Sequence, residues 1–259
     1  MTLSHVAGPC NASTIRDVVQ QKAEAVSIVK SKARKYAVAL AQGRLFSAYL
    51  MASTQSEGDR LKSRISSSFR ALENHYGMRN FTVIDRSGEL FLHVGPTQAP
   101  AGKRNLKTDP VLVSGFSQEL SSVTSLMEKD TVTYVSPVVH NGEKEFVLSI
   151  EQDLSAYEKV LTLGLAKSFY VVVIDSRGNI ISDSHGAENA GKQALIAGMT
   201  FDRLRQEISG SANDGTGVVS KDGQLFNVSY ETVDDWIVVA IEQSNAASAC
   251  LRNGVNTCQ

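Results

Sequence analysis

The chain has few of the residues that build cross-linked or metal-bound folds. Its three cysteines, Cys10, Cys250 and Cys258, lie near the two ends of the 259-residue sequence. Their spacing excludes CxxC redox and zinc motifs, and it excludes a disulfide framework for the core. The five histidines are scattered, with no HxH or HExxH spacing, so no metal site is predicted. A core without cysteine is compatible with either redox compartment.

Long apolar runs and an excess of one charge are also missing. No run of about 18 apolar residues occurs, so no bilayer-spanning segment is predicted, and residues 1–13 lack the pattern of a signal peptide. Lys plus Arg number 26 and Asp plus Glu 27, a net charge of −1, which excludes a strongly basic nucleic-acid-binding surface. No glycine-rich phosphate loop, G-x-S-x-G elbow or paired-carboxylate motif is present, so neither a cofactor nor an enzyme activity is predicted.

The sequence does contain a duplication. Residues 83–88 (VIDRSG) recur as residues 173–178 (VIDSRG), and residues 149–152 (SIEQ) recur as residues 240–243 (AIEQ), in both cases about 90 residues later. Two landmarks with one period indicate a duplicated unit, and this period is too long for a solenoid repeat. Each copy is therefore expected to be a small domain with its own core.

The first 76 residues have the periodicity of helices. Ser13 or Thr14 is a candidate N-cap with Asp17 in the first turn, and Gly77 is expected to end the region. Residues 57–59 (EGD) are expected to kink or break it. A continuous helix of about 40 residues would be roughly 60 Å long, so it would run along both repeats or pair with a second copy. Apolar residues recur at spacings of three and four at Val26, Val29, Ala33, Tyr36 and Leu40, and then at Leu61, Ile65, Phe69, Leu72 and Tyr76.

Each repeat has the pattern of an antiparallel sheet with helices. The sequence predicts the class α+β, with a long N-terminal helix and two five-stranded sheets, and a cavity between each sheet and its helices. The helices outside the N-terminal region are predicted at 110–120, 153–166 and 192–208, the last with a break near Gly198. Strands are predicted at 80–85, 88–94, 122–127, 131–139 and 144–152, and in the second copy at 169–175, 179–182, 217–220, 225–231 and 236–243.

The order of these motifs resembles the double Cache family, the extracytoplasmic PAS-like sensors of bacterial transmembrane receptors. The resemblance covers residues 13–243. It implies two PAS-like modules at 78–153 and 168–243, a linking helix at 154–167, an N-terminal helical region at 14–77, and tails at 1–13 and 244–259. The residues that carry it are the long helix, the VID-x-x-G motif of each repeat, and residues 134–138 (YVSPV), 146–157 (FVLSIEQDLSAY), 178–181 (GNII), 191–192 (GK) and 235–239 (DWIVV).

The resemblance implies a ligand-sensing function. The chain would be the periplasmic or extracellular part of an inner-membrane receptor whose output domain is a histidine kinase, a chemotaxis signalling domain or a diguanylate cyclase. Its membrane attachment would be through transmembrane helices that this chain does not contain. The first, membrane-distal module would bind an amino acid, an amine or a carboxylate, and binding would act by population shift. A parallel homodimer through the N-terminal helix is a further expectation.

Asp153 is the leading candidate for a ligand contact. It aligns with an acidic residue that accepts the ligand amine in amino-acid sensors of this family. It fits equally as the N-cap of the helix that follows, and the two roles are compatible. The tyrosine, arginine and Trp-Tyr pair that grip a carboxylate in the family have no full counterpart at residues 102–109. Arg104 or Lys107 is then the candidate to hold an anion, or each is a solvated loop charge.

Three hydroxyls complete the candidate site of the first module. Tyr134 and Ser136 share one face of their strand, and Thr124 lies in the preceding strand. The simpler interpretation of Tyr134 is a core residue with a satisfied hydroxyl. A second pocket is possible in the second repeat, from Tyr170, Ser182, Asp183, His185, Asn227 and Tyr230.

Two other interpretations remain open. The chain is alternatively a structural or dimerisation module with collapsed pockets, which a cavity filled by large apolar side chains would favour. It is alternatively a cytosolic tandem PAS protein, because the core chemistry does not fix the compartment.

Overall fold

The computed structural model describes residues 14–73, 75–99, 102–105, 107–117, 124–127, 131–185 and 189–244. These residues form two compact units, which we call the first module (27–159) and the second module (14–26 with 160–244). The helices are α1 (Ile15–Ala41), α2 (Arg44–Leu50), α3 (Gln55–Leu72), α4 (Pro110–Ser117), α5 (Ser155–Thr162) and α6 (Phe201–Glu207), with a 3₁₀ turn at His75–Gly77. The boundary between the modules falls within α5.

The strands account for most of the rest of the described chain. Those of the first module are β1 (Met78–Asp85), β2 (Leu90–Val94), β3 (Thr124–Met127), β4 (Thr131–His140) and β5 (Glu143–Asp153). Those of the second are β6 (Phe169–Asp175), β7 (Ile180–Asp183), β8 (Ser209–Gly210), β9 (Asp214–Lys221), β10 (Gln224–Val233) and β11 (Trp236–Ser244).

The predicted long N-terminal helix is present as α1, but it is shorter than 40 residues, because α2 and α3 form the rest of the region. Helix α1 has 27 residues, and Gly43 follows it in extended backbone. The expected break at residues 57–59 was wrong, because these residues lie inside α3. Thr54 caps α3 by accepting the Glu57 N–H at 3.2 Å, while the Glu57 carboxylate accepts the Ser53 N–H at 3.3 Å. Glu57 therefore takes part in a pair of hydrogen bonds, similar to a capping box, that starts the helix.

Thr14, one of the two residues predicted as the N-cap of α1, does cap this helix. Its hydroxyl accepts the Asp17 N–H at 3.2 Å, and the Asp17 carboxylate accepts the Thr14 N–H at 2.9 Å. Ser13 lies outside the described residues. The helix buries one stripe, although Tyr36 and Leu40 are only half-buried. The buried apolar residues are Ile15, Val18, Val19, Ala23, Val26, Val29, Ala33, Ala37 and Ala41.

The first module has the predicted five-stranded antiparallel sheet, in the order β2-β1-β5-β4-β3. Strands β4 and β5 form a hairpin whose turn residues, Asn141 and Gly142, have φ of 48° and 80°. These positive values are those of a type I′ turn, as the Asn-Gly pair predicts. One face of the sheet packs against α3, where the Phe69 and Phe81 rings stack at 5.0 Å.

The second module has a six-stranded antiparallel sheet, in the order β7-β6-β11-β10-β9-β8. The extra strand, β8, has two residues. The prediction of a helix over most of 192–208 was wrong, since only Phe201–Glu207 is helical. Ala197 and Gly198 both have positive φ and turn the chain, so that Ile196 and Met199 form an isolated bridge. Residues 192–200 are therefore irregular.

None of the helices in the described part of the chain is both long enough and apolar enough to cross a membrane.

Candidate functional site

The two faces of the first module's sheet differ in what covers them. Side chains alternate between faces along a strand, so the pairing register assigns each residue to a side. Ile84, Val135 and Val147 lie on one side and pack against Val111 and Leu112 of α4. We call this side the α4 face. The opposite side carries Phe81 and meets α3.

Beyond α4, the same face becomes polar. On this side of the sheet, the residues of β5 that follow Val147 and the residues of β4 that precede Val135 are all polar. Arg79 of β1 pairs with one of them, Glu151. Sheet alternation therefore groups residues from three strands into one surface. We call this group the polar patch: Arg79, Thr82, Thr131, Thr133, Ser149, Glu151 and Asp153.

The centre of the polar patch is buried, and two atoms of the patch have no hydrogen-bond partner in the described part of the structure. Thr133 and Ser149 are 2% and 5% exposed. The two unpaired buried atoms are Thr133 Oγ1 and Arg79 Nε. Because buried polar atoms are nearly always hydrogen-bonded in native proteins, these two atoms require a polar partner, either a ligand or a water molecule, that the described residues do not supply.

Asp153 lies at the end of the polar patch in two interactions. Its Oδ2 pairs with Arg79 Nη1 at 3.0 Å, and its Oδ1 accepts the Ser155 N–H at 2.9 Å, in the first turn of α5. Both side chains are about one-third exposed, at 34% and 32%. With Glu151 alongside, the polar patch carries two carboxylates and one guanidinium, so its formal charge is negative and favours a cationic group.

A rim of hydrogen bonds ties the segment after β2 to the polar patch. Asn80 donates to Glu151 Oε2 at 2.6 Å and accepts the Thr97 N–H at 3.2 Å. His93 joins Thr82 Oγ1 at 2.9 Å and the Thr97 carbonyl at 3.1 Å. Of the residues in the polar patch and its rim, the sequence motifs indicated only Asp153. Counting back by twos from Asp153 along its strand would have found Glu151 and Ser149.

Tyr134 and Ser136 lie on the opposite face of the sheet from Asp153. The Tyr134 hydroxyl lies 3.1 Å from Gln152 Oε1 and 2.8 Å from the Tyr157 hydroxyl, and all three side chains are fully buried. This arrangement is that of a core tyrosine with a satisfied hydroxyl. Ser136 is 2% exposed on the same side.

The other three candidates lie elsewhere in the first module. Arg104 Nε pairs with Asp109 Oδ2 at 2.6 Å. Lys107 is exposed and lines a groove beside α4. Thr124 lies in β3, and its side chain is outside the described part of the structure. Among candidates with described side chains, only Asp153 is in the polar patch.

Three polar candidates of the second module, Tyr170, Asp183 and His185, lie in one hydrogen-bonded cluster. Asp183 is fully buried, and it accepts from the Tyr170 hydroxyl and Asn189 Nδ2, both at 3.0 Å, and from the His185 N–H at 2.7 Å. Burial, together with the neighbouring carboxylate, raises the pKa of the Tyr170 hydroxyl. The His185 imidazole is exposed and lies 4.8 Å from the Tyr170 ring. This cluster is a closed hydrogen-bond network.

The remaining candidates of the second module are also engaged, apart from Ser182. Tyr230 donates to the Ser211 carbonyl at 2.7 Å, and Asn227 donates to Glu242 Oε2 at 2.9 Å. The Ser182 hydroxyl is buried without a partner among the described residues. Large apolar side chains fill the space between the sheet and α6: Ile196, Phe201, Leu204, Val228, Tyr230 and Val239.

A separate cavity of about 540 Å³ lies in the second module, between α1 and the edge formed by β9 and β10. Its charged residues are Arg16, Asp214, Glu231 and Asp234. Arg16 pairs with Asp214 at 3.3 Å, and Glu231 faces Asp214 across the strands. Burial and the Asp214 carboxylate raise the pKa of Glu231, although the Arg16 guanidinium lowers it.

Replacing Glu231 by glutamine is expected to stabilise the protein at neutral pH. Because the folded-state pKa of Glu231 is raised, the ionised side chain lowers stability above that pKa, and this effect disappears as the pH falls to the ordinary value of 4.5. The gain at pH 7 should be a few tenths of a kcal/mol to about 1 kcal/mol, the range of like charges on adjacent strands. Thermal unfolding of both proteins from pH 4 to pH 8 measures it. Glu24→Gln, at an exposed position, is the control. A gain in stability that did not shrink at low pH, or that equalled the gain of the control, would mean that Glu231 is not destabilising when ionised.

The part of the chain that the structure describes contains no group of three or more His, Cys, Asp or Glu residues arranged to hold a metal ion.

Comparisons with known proteins agree with this fold. No protein-family model and no curated protein sequence matches the chain. The sensory domain of the Campylobacter jejuni chemoreceptor Tlp3, solved with isoleucine bound, matches with a TM-score of 0.68 and 10% identity, over 88% of this chain and 91% of that one. The ligand-binding domain of the Pseudomonas aeruginosa amino acid chemoreceptor PctB, in complex with L-Arg, gives 0.61 and 14%, over 90% and 95%.

A third match is the extracellular domain of rpHK1S-Z16, which is described as a histidine kinase. Its TM-score is 0.64 at 10% identity, over 90% of this chain and 95% of that one. At these identities the likeness is one of fold. The chain therefore has the fold of the sensory domains of chemoreceptors and histidine kinases, the double Cache architecture that its sequence motifs predicted.

Proposed function

We propose that this chain is the extracytoplasmic ligand-sensing domain of a transmembrane signalling receptor, and that the polar patch of its first module binds an amino acid or a related amine. The observation that carries the proposal is a pair of buried atoms without partners among the described residues, Thr133 Oγ1 and Arg79 Nε, on the same surface as two carboxylates. A hydrophobic core does not need such atoms, whereas a polar ligand satisfies them.

The chemistry of the polar patch fits the two ends of an amino acid. Asp153 and Glu151 are acceptors for an ammonium group, which has three donors. Arg79 and the Thr133 hydroxyl are donors for a carboxylate. An arginine–carboxylate bond is charge-assisted and roughly twice as strong as a neutral one. A bound ligand would replace part of the ion pair between Asp153 and Arg79. The net negative charge of the polar patch favours the ammonium group of the ligand over its carboxylate.

Asp153 also supplies a route for the signal. Its carboxylate bonds the Ser155 N–H, so a ligand that redirects the carboxylate changes the first turn of α5. Helix α5 continues into the second module, whose interior is filled and whose polar groups are mostly paired. Binding in the first module would then shift a population of conformations through α5 towards an output domain.

The rival function is a structural module with collapsed pockets. The filled interior of the second module favours it for that module. The unpaired atoms of the polar patch favour a ligand site in the first module. A dimer formed through the N-terminal helix is a separate proposal. Measuring the oligomeric state in solution would test it.

A thermal-shift screen against amino acids, amines and carboxylates tests the proposal. A ligand that binds only the folded protein stabilises it by about 2.7 kcal/mol at a hundredfold excess over its Kd. We expect amino acids or amines to raise the Tm, and acetate, which has a carboxylate but no ammonium group, to leave it unchanged. Shifts from carboxylates alone, or from no compound of any class, would reject an ammonium-binding patch.

Thr133→Val separates a ligand role from a structural one. The valine has the shape of threonine without its unpaired hydroxyl, so the free protein should be about 1 kcal/mol more stable. If the hydroxyl bonds the ligand, affinity should fall about five- to tenfold. Unfolding and calorimetric titration with the amino acid found in the screen measure the two effects.

Ser136→Ala is the matched control. It removes a hydroxyl equally buried on the same strand, but on the opposite face of the sheet. Its affinity for the ligand should equal that of the wild type. A loss of affinity in Ser136→Ala but not in Thr133→Val would place the ligand on the other face.

A further inference from the structure

A second surface of the first module combines positive charge with apolar side chains. It is an open groove of about 600 Å³ beside α4. The residues that define it are Arg86, Lys107 and Lys144, which are cationic, and Leu112, Val113 and Phe116, which are apolar. The three cations come from the β1–β2 turn, the segment before α4 and the start of β5. We call this surface the α4 groove.

The three cationic side chains of the α4 groove have different partners. Arg86 pairs with Glu143 at 3.0 Å, an exposed ion pair that is worth little in water. Lys144 donates to the Phe116 carbonyl at 2.6 Å, which is an uncharged acceptor near the end of α4. Lys107 has no acidic partner among the residues that the structure describes. The nearby acid Asp109 is engaged by Arg104 at 2.6 Å. Lys107 therefore leaves a positive charge in the groove.

The apolar side of the groove is unusual for an exposed helix surface. Val113 is 42% exposed, although the same helix buries Val111 and Leu112 against the sheet. Phe116 lies beside it and is partly buried against the core. A strip of aliphatic and aromatic carbon next to a free ammonium matches a molecule with one anionic end and one apolar end.

We propose that the α4 groove binds a monocarboxylate with a short aliphatic chain. The carboxylate lies between Lys107 and Lys144, and the aliphatic chain lies on Val113 and Phe116. This inference does not rest on the ligand of the polar patch, because the two surfaces share no residue and prefer charges of opposite sign. The first module would then respond to two classes of compound.

Titration with hexanoate, followed by amide chemical shifts in the full chain, tests the α4 groove. We expect saturable shifts at residues 107, 112–117 and 144. Acetate has the charge without the chain, and 1-hexanol and hexylamine have the chain without the negative charge, so each should bind at least tenfold more weakly. Binding that is not saturable, or that is as strong for 1-hexanol or hexylamine, would overturn the proposal.

Substitutions at two exposed residues test the charged part and the apolar part of the groove separately. Lys107→Glu reverses the free charge and should weaken hexanoate at least tenfold, since a hydrogen bond to a charged group is worth about that factor. Val113→Asp should weaken it similarly. Their matched controls are Lys103→Glu, an exposed lysine of the same loop, and Val218→Asp, a 59% exposed valine of the second module. Equal affinity in a groove variant and its control would overturn the proposal.

Asp153→Asn distinguishes this inference from the proposed function. Hexanoate binding should be unchanged in Asp153→Asn, and amino acid binding should be unchanged in Lys107→Glu. Loss of hexanoate binding in Asp153→Asn would place the carboxylate in the polar patch and overturn the α4 groove. If the protein bound hexanoate but no amino acid, the proposed function would fail and the proposal for the α4 groove would stand.

Discussion

Phe69→Ala is expected to lower the stability of the first module by about 3–5 kcal/mol, the range for a fully buried phenylalanine. Phe69 is 1% exposed and stacks on Phe81 at 5.0 Å, so its ring joins α3 to the sheet. Truncation leaves a cavity between α3 and the sheet. Denaturant unfolding followed by far-UV circular dichroism measures the loss.

Arg70→Ala is the control for this experiment, because Arg70 is exposed on the same turn of α3. It should change stability by less than about 0.5 kcal/mol. The single tryptophan, Trp236, is buried in the second module, so its fluorescence reports that module separately. A loss below about 1 kcal/mol in Phe69→Ala would mean that α3 does not pack on the sheet as described.

Asp153→Asn is expected to reduce the affinity for an amino acid or amine about a hundredfold, while the fold is kept. Removing one partner of a hydrogen-bonded charge pair weakens binding by about 2–5 kcal/mol. Asparagine still accepts the Ser155 N–H, so the first turn of α5 remains capped. The lost pair with Arg79 is one-third exposed and should lower stability by no more than about 1 kcal/mol. Calorimetric titration and thermal unfolding separate these effects.

Asp109→Asn is a closely matched control. Asp109 also accepts backbone N–H groups at the start of a helix, from Val111 and Leu112, and it also pairs with an arginine, Arg104. It lies outside the polar patch, so its replacement should not alter amino acid binding. Unchanged affinity in both variants would mean that Asp153 is only a helix cap.

Much of the fold was predictable because the signals are local. The alternation and turn residues of each repeat gave the strands, and the Asn141-Gly142 hairpin formed as predicted. The errors occurred where local signals conflicted. Glu57 and Gly58 look like a break in isolation, but the capping bonds of Thr54 and Glu57 make them the first turn of α3. Between Lys192 and Met199, apolar spacing suggested a helix that the positive φ of Ala197 and Gly198 prevents.

The candidate site was predictable only in part, because its residues come from three strands. Sequence motifs indicated Asp153 and the module that contains it. They also suggested Tyr134 and Ser136, since alternation places residues of one strand on a common face without saying which face receives a ligand. Whether Tyr134 serves the core was decided by its hydrogen bonds with Gln152 and Tyr157.

By itself, the sequence determined the duplication, the strand pattern and the absence of cysteine and metal motifs, because these depend on neighbours along the chain. The tertiary structure alone decided the membership of the polar patch. Pairing of β1 with β5 brings Arg79 opposite Glu151, and pairing of β4 with β5 brings Thr131 opposite Asp153. Helix α4 then covers only the apolar end of that face. Such long-range pairing is set by how whole strands bury their surface together, and no short segment encodes it.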